Sequence, residues 1–158
     1  MQGIVYRRLC MNDIDTFIQM RIDQLAEEGA KQDCDLRPAL YDYYNKHLAD
    51  GSFVSWIALD GEKIIATSGL SFAEKPPYYG NPTGRYGIIS SMYTLSEYRR
   101  KGIAKALLQK IVDEAKAADC GVVWITASDM GVYLYTDFGF EKNGKFMQYN
   151  TNPRSKNR

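Results

Sequence analysis

The most regular hydrophobic pattern of the chain lies at residues 86–119. Residues 87–94 carry no charge, are rich in Ile, Tyr and Ser, and lead into a polar segment, which is typical of a largely buried strand. After them, apolar side chains recur at helical spacing and form one stripe: Ile103, Leu107, Leu108, Ile111 and Ala115. The pattern predicts a strand, a turn and an amphipathic helix in that order.

The N-terminal half predicts a strand, two helices and a hairpin. Residues 3–9 suit a strand, and Asn12 and Asp13 offer a cap to a helix whose apolar side chains share one face: Ile14, Phe17, Ile18, Ile22 and Leu25. Pro38 fits the first turn of a second helix. Residues 52–59 and 63–72 are rich in β-branched and aromatic side chains, and the Asp60-Gly61 pair between them predicts an antiparallel hairpin.

The C-terminal half completes one domain over residues 1–150. Residues 73–84 hold three prolines and two glycines, which predict a long exposed loop. Beyond the central helix we expect a strand at residues 122–127, a short helix at 131–137 and a last strand at 142–149. Residues 151–158 have little to bury and are expected to fray. The element order is β-α-α-β-β-β-α-β-α-β, a mixed α/β class.

Composition and charge exclude several functions. The chain has 158 residues, of which 45% are hydrophobic and 25% charged, enough for one packed core. The net charge of +1 gives no basic field for nucleic acid, and no apolar run reaches the length of a membrane span. The first residues lack the apolar region of a secretory signal, so we expect a cytoplasmic protein. Cys10, Cys34 and Cys120 are widely spaced and indicate neither disulfides nor a zinc site.

The turn before the central helix has the chemistry of an anion site. A helix leaves its first four N–H groups without intrahelical partners and carries about half a positive charge at that end. Gly102 and Ala104 add no bulk there, and Arg99, Arg100 and Lys101 add positive charge. We therefore expect this turn to bind a phosphate or pyrophosphate.

Two motifs resemble one enzyme family. Residues 99–104 form R-x-x-G-x-A after a strand, similar to the [QR]-x-x-G-x-[GA] of motif A in the GNAT (Gcn5-related N-acetyltransferase) superfamily. Residues 135–140, YTDFGF, are similar to the Y-x-x-x-G-F that follows at this distance in the family. The resemblance covers about residues 86–149. It implies a mixed, mostly antiparallel sheet with helices on both faces and two splayed central strands, with acetyl-CoA as the cofactor.

The resemblance also implies roles for single residues. The pyrophosphate of acetyl-CoA would lie on the turn formed by Arg99, Arg100, Lys101, Gly102, Ile103 and Ala104. Backbone groups of Met92, Tyr93 and Thr94 would pair with the pantetheine arm and polarise the thioester carbonyl. Tyr135 matches the tyrosine that protonates or orients the departing thiolate. Ser128 stands where relatives often carry an Asn that contacts the cofactor, and Ser reaches less far.

The proton acceptor is not determined by the sequence. An alkylamine with a pKa of about 10.4 is almost wholly protonated at neutral pH, so a base or a water molecule must take its proton. Several carboxylates are expected near the cleft, and the sequence does not separate them: Glu27, Glu28, Glu74, Glu97 and Asp129.

Charge segregation suggests a cationic acceptor. Residues 11–50, which by the resemblance wall the acceptor site, hold nine acidic and four basic side chains, a net charge of −5. Tyr41, Tyr43, Tyr44 and residues 76–79 would add aromatic faces that attract cations. Alternatively, these acids form a solvated helix surface.

The preferred hypothesis is transfer of an acetyl group from acetyl-CoA to a small primary amine by direct attack in a ternary complex. The alternatives are a non-catalytic acyl-CoA sensor on the same fold and a generic nucleotide-phosphate binder. A Ser-His-Asp hydrolase is disfavoured because His47 is the only histidine and no G-x-S-x-G occurs. The sequence does not distinguish a monomer from a homodimer.

Overall fold

The structure is a computed structural model, and it describes residues 3–154. Its strands and helices follow the predicted order, except that the strand expected at residues 52–59 is divided in two and, within these residues, no strand follows the last helix. The elements are β1 (Val5–Arg8), α1 (Ile14–Glu27), α2 (Arg37–Asp50), β2 (Phe53–Val54), β3 (Trp56–Asp60), β4 (Lys63–Glu74), β5 (Arg85–Thr94), α3 (Ile103–Ala117), β6 (Val122–Ile125) and α4 (Gly131–Phe138). Among the described residues, none of the helices is long and apolar enough to cross a membrane.

The strands form a single mixed sheet. Its order is β1-β3-β4-β5-β6, with β2 paired to β4 beside β3. Every pair is antiparallel except β5 with β6, which are parallel. A parallel pair needs a crossover, and α3 provides it. The turn between β5 and α3 therefore lies at the carboxyl end of β5, where an α/β sheet is open to ligands.

Helices cover both faces of this sheet. On one face, Phe17 of α1 and Tyr44 of α2 pack with Phe53 and Ile57 in one buried cluster. On the other face, α3 and α4 pack on β4 and β5 in a second cluster that contains Leu70, Ile89, Leu108, Ile111 and Tyr135. The apolar stripe of α3 is buried as predicted. The mixed α/β fold with helices on both faces is thus confirmed.

Two local predictions in the N-terminal half were wrong. The strand expected at residues 52–59 is interrupted at Ser55, whose buried hydroxyl donates a hydrogen bond to the Ser68 carbonyl at 2.5 Å. Asp13 does not cap α1 through its side chain. Its carboxylate instead accepts two hydrogen bonds from Arg7 at 2.7 and 2.9 Å and one from the Cys10 N–H at 3.0 Å. Asp13 thereby ties the end of β1 to the start of α1.

The last predicted strand, at residues 142–149, is absent from the structure, where this segment is irregular. A turn at Asn143 accounts for the difference. The Asn143 side chain accepts a hydrogen bond from the Lys145 N–H at 3.1 Å, and its carbonyl accepts one from the Phe146 N–H at 3.5 Å. These N–H groups therefore point back into the turn and do not extend along a strand edge. The Phe146 ring packs edge-on against Trp124 of β6.

The fraying predicted for residues 151–158 stays a prediction. Residues 155–158 lie outside the described residues. Within the described part, the Arg154 guanidinium forms an ion pair with Asp33 in the segment between α1 and α2. This contact joins the C-terminal segment to the α1–α2 side of the sheet.

The Asp13 contacts make stability depend on pH in the acid range. The Arg7 guanidinium, in the first place, holds the pKa of the Asp13 carboxyl at about 2, below its ordinary 3.8. Because this pKa is lowered by folding, the stabilisation is complete above pH 4 and is lost as the pH falls from about 4 to 2. We expect Asp13→Asn to lower the free energy of unfolding at pH 7 by about 1 to 2 kcal/mol, allowing for solvent screening.

Urea denaturation of both proteins at a series of pH values from 7 to 3 measures this difference. The exposed residue Asp42 of α2 provides the control Asp42→Asn, which removes the same charge and should leave the stability nearly unchanged. A deficit of Asp13→Asn that does not shrink below pH 4 would contradict the assignment of the stabilising carboxylate.

Candidate active site

The turn that joins β5 to α3 presents a row of unpaired backbone donors. Arg100 and Gly102 have left-handed φ angles of 62° and 81°. Such conformations turn successive N–H groups toward one side and form an anion-binding concavity. Within residues 3–154, no acceptor lies in hydrogen-bond reach of the N–H groups of residues 100–105, and no side chain caps α3. The turn therefore has the donors that a pyrophosphate requires.

The three basic residues of this turn have different environments. The Arg99 side chain points inward: its Nε donates to the Thr94 carbonyl at 2.8 Å and its Nη2 to Glu27 at 2.8 Å. The Lys101 ammonium donates to the Glu97 carbonyl at 3.0 Å. Among the described residues, the Arg100 side chain makes no hydrogen bond or ion pair. Arg100 and Lys101, which make no ion pair among the described residues, therefore carry positive charge that is available to a ligand, and Arg99 holds the turn in place.

A β-bulge shapes the end of β5. Ser91 and Met92 together lie opposite the single residue Ser68 of β4, because Thr67 pairs with Tyr93 and Gly69 with Ser90. Ser91 has a φ of 58°, a left-handed value that costs a non-glycine residue about 1 to 2 kcal/mol. The Thr67 hydroxyl donates to the Ser91 carbonyl at 2.7 Å and fixes the bulge.

The bulge lies where β5 loses its partner on one side. Pairing with β6 ends at Ile89 opposite Ile125, whereas β5 continues to Thr94. The carbonyl groups of Met92 and Thr94 face this open edge, since they accept hydrogen bonds from Gln24 and Arg99 and not from β4. The two parallel strands thus separate at the level of the predicted thioester, as the splayed arrangement requires.

Tyr93 differs from its two neighbours. Leu95, two residues beyond Tyr93, donates its N–H to the Ile65 carbonyl of β4. Because backbone groups alternate in direction along a strand, those of Tyr93 also point toward β4. Its hydroxyl donates to Glu27 at 2.7 Å. Burial, followed by this hydrogen bond, raises the pKa of Tyr93 to about 12. A backbone contact from Tyr93 to the cofactor stays a prediction, and the structure assigns its side chain to Glu27.

Tyr135 of α4 is a protonated donor at neutral pH. Its side chain is only 7% exposed and lies in the cluster beneath α3. Burial, with a smaller contribution from the negative charge of Glu28, raises its pKa to about 12. In the described part of the chain, its hydroxyl has no hydrogen-bond partner. A hydroxyl without a protein partner can donate to a group that a ligand brings.

Ser128 stabilises the start of α4. Its hydroxyl accepts a hydrogen bond from the Gly131 N–H at 3.1 Å, and its carbonyl accepts one from Val132 at 3.0 Å. Gly131 is also constrained, because a Cβ atom there would lie 2.9 Å from the Tyr135 ring. Sequence reasoning missed Gly131, although its position one helical turn before Tyr135 is a signal for close packing.

Gln24 of α1 is the polar residue that sequence reasoning missed most clearly. It is 7% exposed, and its Nε2 donates to the Met92 carbonyl at 3.2 Å and to a Glu28 carboxylate oxygen at 3.3 Å. Its carbonyl oxygen accepts a hydrogen bond from Arg21 at 3.0 Å. The signal was a polar side chain seven residues after Phe17 on the buried face of α1, where burial requires hydrogen-bond partners.

The structure separates the candidate bases. Glu27 binds Tyr93 and Arg99, and these hydrogen bonds lower its pKa. The pKa of Glu97 is lowered by its own backbone N–H and by Lys63. Glu74 pairs with Arg85 at one end of β4 and β5, whereas Ala66 pairs with Thr94 at the other end. At about 3.3 Å per residue, Glu74 therefore lies about 25 Å from the Thr94 end of β5. The expectation that Glu74 lies near the cleft was wrong.

The aromatic residues expected around the acceptor are mostly elsewhere. Residues 75–84 join the other end of β4 to the start of β5, and the Tyr78 hydroxyl bonds to Tyr86 there at 2.7 Å. Tyr44 is buried against Phe17, with ring centroids 5.0 Å apart. The loop that was expected to face the acceptor site therefore lies at the opposite end of the sheet, because β5 is ten residues long.

Comparison with known proteins agrees with this geometry. The model of the acetyltransferase (GNAT) family matches residues 18–140. The crystal structure of a predicted acetyltransferase with acetyl-CoA from Clostridium acetobutylicum is 36% identical, with a TM-score of 0.90 over 94% of this chain and 96% of that chain. The family match begins within α1 and includes β5, the basic turn and α4.

Two curated proteins are similar over a shorter part. N-acetyltransferase 8B of Rattus norvegicus is 29% identical over 115 residues, which are 70% of this chain and 50% of that protein. The uncharacterized N-acetyltransferase YsnE of Bacillus subtilis is 29% identical over 105 residues, 63% of this chain and 64% of that protein. The match thus spans about half to two thirds of these relatives. On the evidence of the family match and the shared fold, this chain belongs to the GNAT acetyltransferase family.

Proposed function

We propose that this protein transfers an acetyl group from acetyl-CoA to the primary amine of a small, cationic acceptor by direct attack in a ternary complex. The observation that carries the proposal is the open edge of β5. Within residues 3–154, the N–H groups of residues 100–105 beyond its end have no partner, and neither has the Tyr135 hydroxyl of α4, which packs in the same cluster as Met92. The similar protein from Clostridium acetobutylicum was crystallised with acetyl-CoA, which supports the same co-substrate here.

In this proposal the cofactor lies along one continuous surface. Its pyrophosphate accepts hydrogen bonds from the N–H groups of residues 100–105, with Arg100 as the nearby positive charge. Its pantetheine arm follows the backbone of Met92 and Thr94 along the open edge. A backbone N–H that points at the thioester oxygen would stabilise the negative charge that develops there, a contribution of about 3 kcal/mol in comparable sites.

The chemical step needs no covalent intermediate with the enzyme. The unprotonated amine attacks the thioester carbonyl carbon, the resulting tetrahedral adduct loses a proton from nitrogen, and the C–S bond breaks to release the thiolate of CoA. Because its pKa is raised to about 12, the Tyr135 hydroxyl is protonated at neutral pH. Tyr135 can therefore donate a hydrogen bond, or its proton, to the departing sulfur.

The acidic residues of segment 11–50 support a cationic acceptor only in part. Of the acids in residues 11–50, Asp13, Glu27 and Asp33 pair with arginines from outside that segment. Much of the net charge of −5 is thus neutralised within the protein. Glu28 remains beside the open edge with its charge unpaired by any cation among the described residues. The Glu28 carboxylate alone, and not residues 11–50 as a whole, would therefore attract the positively charged acceptor.

The alternative function is a non-catalytic acyl-CoA sensor on the same fold. A sensor would need the open edge and the unpaired N–H groups but no hydroxyl near the thioester sulfur. The Tyr135 hydroxyl, which has no partner among the described residues, therefore favours the enzyme. Release of free CoA on addition of a broad mixture of amines separates the two functions.

The first prediction from the proposed function concerns the cofactor turn. Gly102→Glu should abolish the thermal stabilisation of the protein by CoA, because it places bulk and negative charge at the pyrophosphate site and strains a left-handed φ. For the wild type, CoA at about 100 times its Kd should add about 2.7 kcal/mol of stability, a rise in Tm of about 5 to 10 °C. Differential scanning fluorimetry with millimolar CoA measures the shift.

The matched control is Gly144→Glu. Gly144 lies in an irregular segment, has open space around a Cβ and does not have a left-handed φ. This variant should keep the full shift, and circular dichroism should confirm that both free variants are folded. A wild-type protein that shows no shift with millimolar CoA would refute binding at this turn.

The second prediction concerns Tyr135. Tyr135→Phe should lower kcat about 100-fold, near the low end for groups that assist proton transfer, because a thiolate is already a tolerable leaving group. The KM for acetyl-CoA should change little. Tyr133→Phe is the control on the same helix, since the Tyr133 side chain is 79% exposed. An unaltered kcat, with chemistry shown to be rate-limiting, would exclude this role.

The third prediction concerns the acceptor charge. Matched amines that carry an additional positive, neutral or negative group should differ in kcat/KM in that order, by about fivefold per charge at low salt, as expected for about 1 kcal/mol of screened attraction. The differences should shrink in 1 M salt. Steady-state rates of CoA release measure them, and a preference for anionic acceptors, or none at low salt, would contradict the proposal.

A further inference from the structure

Gln24 places a carboxylate at the open edge of β5. Its Nε2 donates at once to the Met92 carbonyl at 3.2 Å and to a Glu28 carboxylate oxygen at 3.3 Å. The two oxygens are therefore at most about 6.5 Å apart, the sum of these two distances. Glu28 thus lies beside the bulge where β5 and β6 separate, at the level of the proposed thioester.

From this arrangement, and resting on the proposed function, we propose that Glu28 is the catalytic base that accepts the proton of the acceptor ammonium, and that Gln24 is the residue that positions it. Elements from both faces of the sheet meet at this point: α1 brings Gln24, the residue directly after α1 is Glu28, β5 brings Met92, and α4 brings Tyr135. The influence of the Glu28 charge on Tyr135 agrees with their proximity.

The neighbouring carboxylate of Glu27 lacks these features. Glu27 is held by two hydrogen bonds, from the Tyr93 hydroxyl at 2.7 Å and from Arg99 at 2.8 Å, and so stabilises the cofactor turn. Glu28 accepts only the neutral amide of Gln24 among the described residues and is exposed. It therefore retains lone pairs that an ammonium can reach from solvent.

The proton balance of the step is as follows. The Glu28 carboxylate takes one proton from the alkylammonium, and the amine so formed attacks the thioester carbon. As the C–S bond breaks, the second proton of the adduct nitrogen passes to the departing sulfur, directly or through water, so that the thiolate becomes the thiol. Glu28 releases its proton to water, so each turnover yields the amide, CoA and one proton.

The experiment compares two small probes, ethylamine and 2,2,2-trifluoroethylamine, at equal high concentration with saturating acetyl-CoA. Ethylamine is almost wholly protonated at pH 7, whereas the fluorinated amine is largely unprotonated. Glu28→Gln should lower single-turnover acetylation of ethylamine about 100-fold, the range of general base catalysis. It should lower acetylation of trifluoroethylamine less than about threefold.

The pH dependence gives an independent readout. Four other charged or titratable groups lie around Glu28. Arg21 and Glu27 are on α1, Arg99 is ion-paired with Glu27, and Tyr135 is on α4. The wild-type rate with ethylamine should level off near neutral pH. The rate of Glu28→Gln should rise about tenfold per pH unit toward the pKa of the amine, near 10, because only free amine then reacts.

Three further proteins complete the test. Gln24→Met keeps the volume of the side chain but loses its three hydrogen bonds, and should show a smaller loss, about 10-fold, with the same dependence on the amine. Glu28→Asp should lower the rate while keeping the wild-type form of the pH profile. Glu62→Gln, in the exposed turn between β3 and β4, removes the same charge and should match the wild type.

Each outcome has a clear meaning. Equal losses of Glu28→Gln with both amines, or an unchanged rate with ethylamine, would overturn the assignment of Glu28 as base. A change in KM alone would reduce Glu28 to a binding residue and would also overturn it. If the wild type releases no CoA with any amine, the proposed acetyl transfer itself fails. CoA-induced stabilisation of the variants shows that they remain folded.

Discussion

The structure depends on the early end of the pairing between β5 and β6. Beyond Ile89 and Ile125, β5 continues without a neighbour on that side, in the interior of a sheet that is covered by helices on both faces. Backbone carbonyls in such a place must find other partners or lose free energy. Gln24 from α1 and Arg99 from the cofactor turn supply hydrogen bonds at Met92 and Thr94. The open edge thus determines which side chains must lie around it.

Arg99 connects the two halves of the candidate site. Through Thr94 it holds the end of β5, and through Glu27 it holds the end of α1. Its guanidinium also lies over the Tyr93 ring, 5.6 Å from the centroid. Arg99, a motif residue that the sequence predicted to contact the cofactor, therefore has a structural role, because it fixes the end of α1 relative to the turn that precedes α3.

The parts predictable from sequence were those with local signals. The apolar stripe of α3, the Asp60-Gly61 turn and the glycine-containing motif before α3 each reflect contacts within a few residues, and the structure contains all three elements. The segment at 142–149 had the composition of a strand, but a strand also needs a partner edge, and the turn at Asn143 prevents one. No local pattern reports whether such an edge is available.

The candidate site residues also divide into those with a local signal in the sequence and those that depend on distant contacts. Tyr135 could be found by its motif, whereas the role of Gln24 depends on contact with Met92, 68 positions later in the chain. The position of residues 75–84 also required the register of β4 and β5, which puts Arg85 and not Thr94 beside Glu74. Periodicity indicates which face of a helix is buried, but the partner of a buried polar side chain is set by tertiary packing.

The left-handed backbone at Arg100 and Gly102 has a consequence for how a ligand meets the protein. Both residues already hold the φ angles that turn their N–H groups to one side, and the Arg99 hydrogen bonds fasten the preceding residue. The conformational entropy of the turn is therefore lost when the chain folds and not when an anion arrives. The cost of ordering this turn is borne when the chain folds, and an anion that bound there would meet a surface that is already formed.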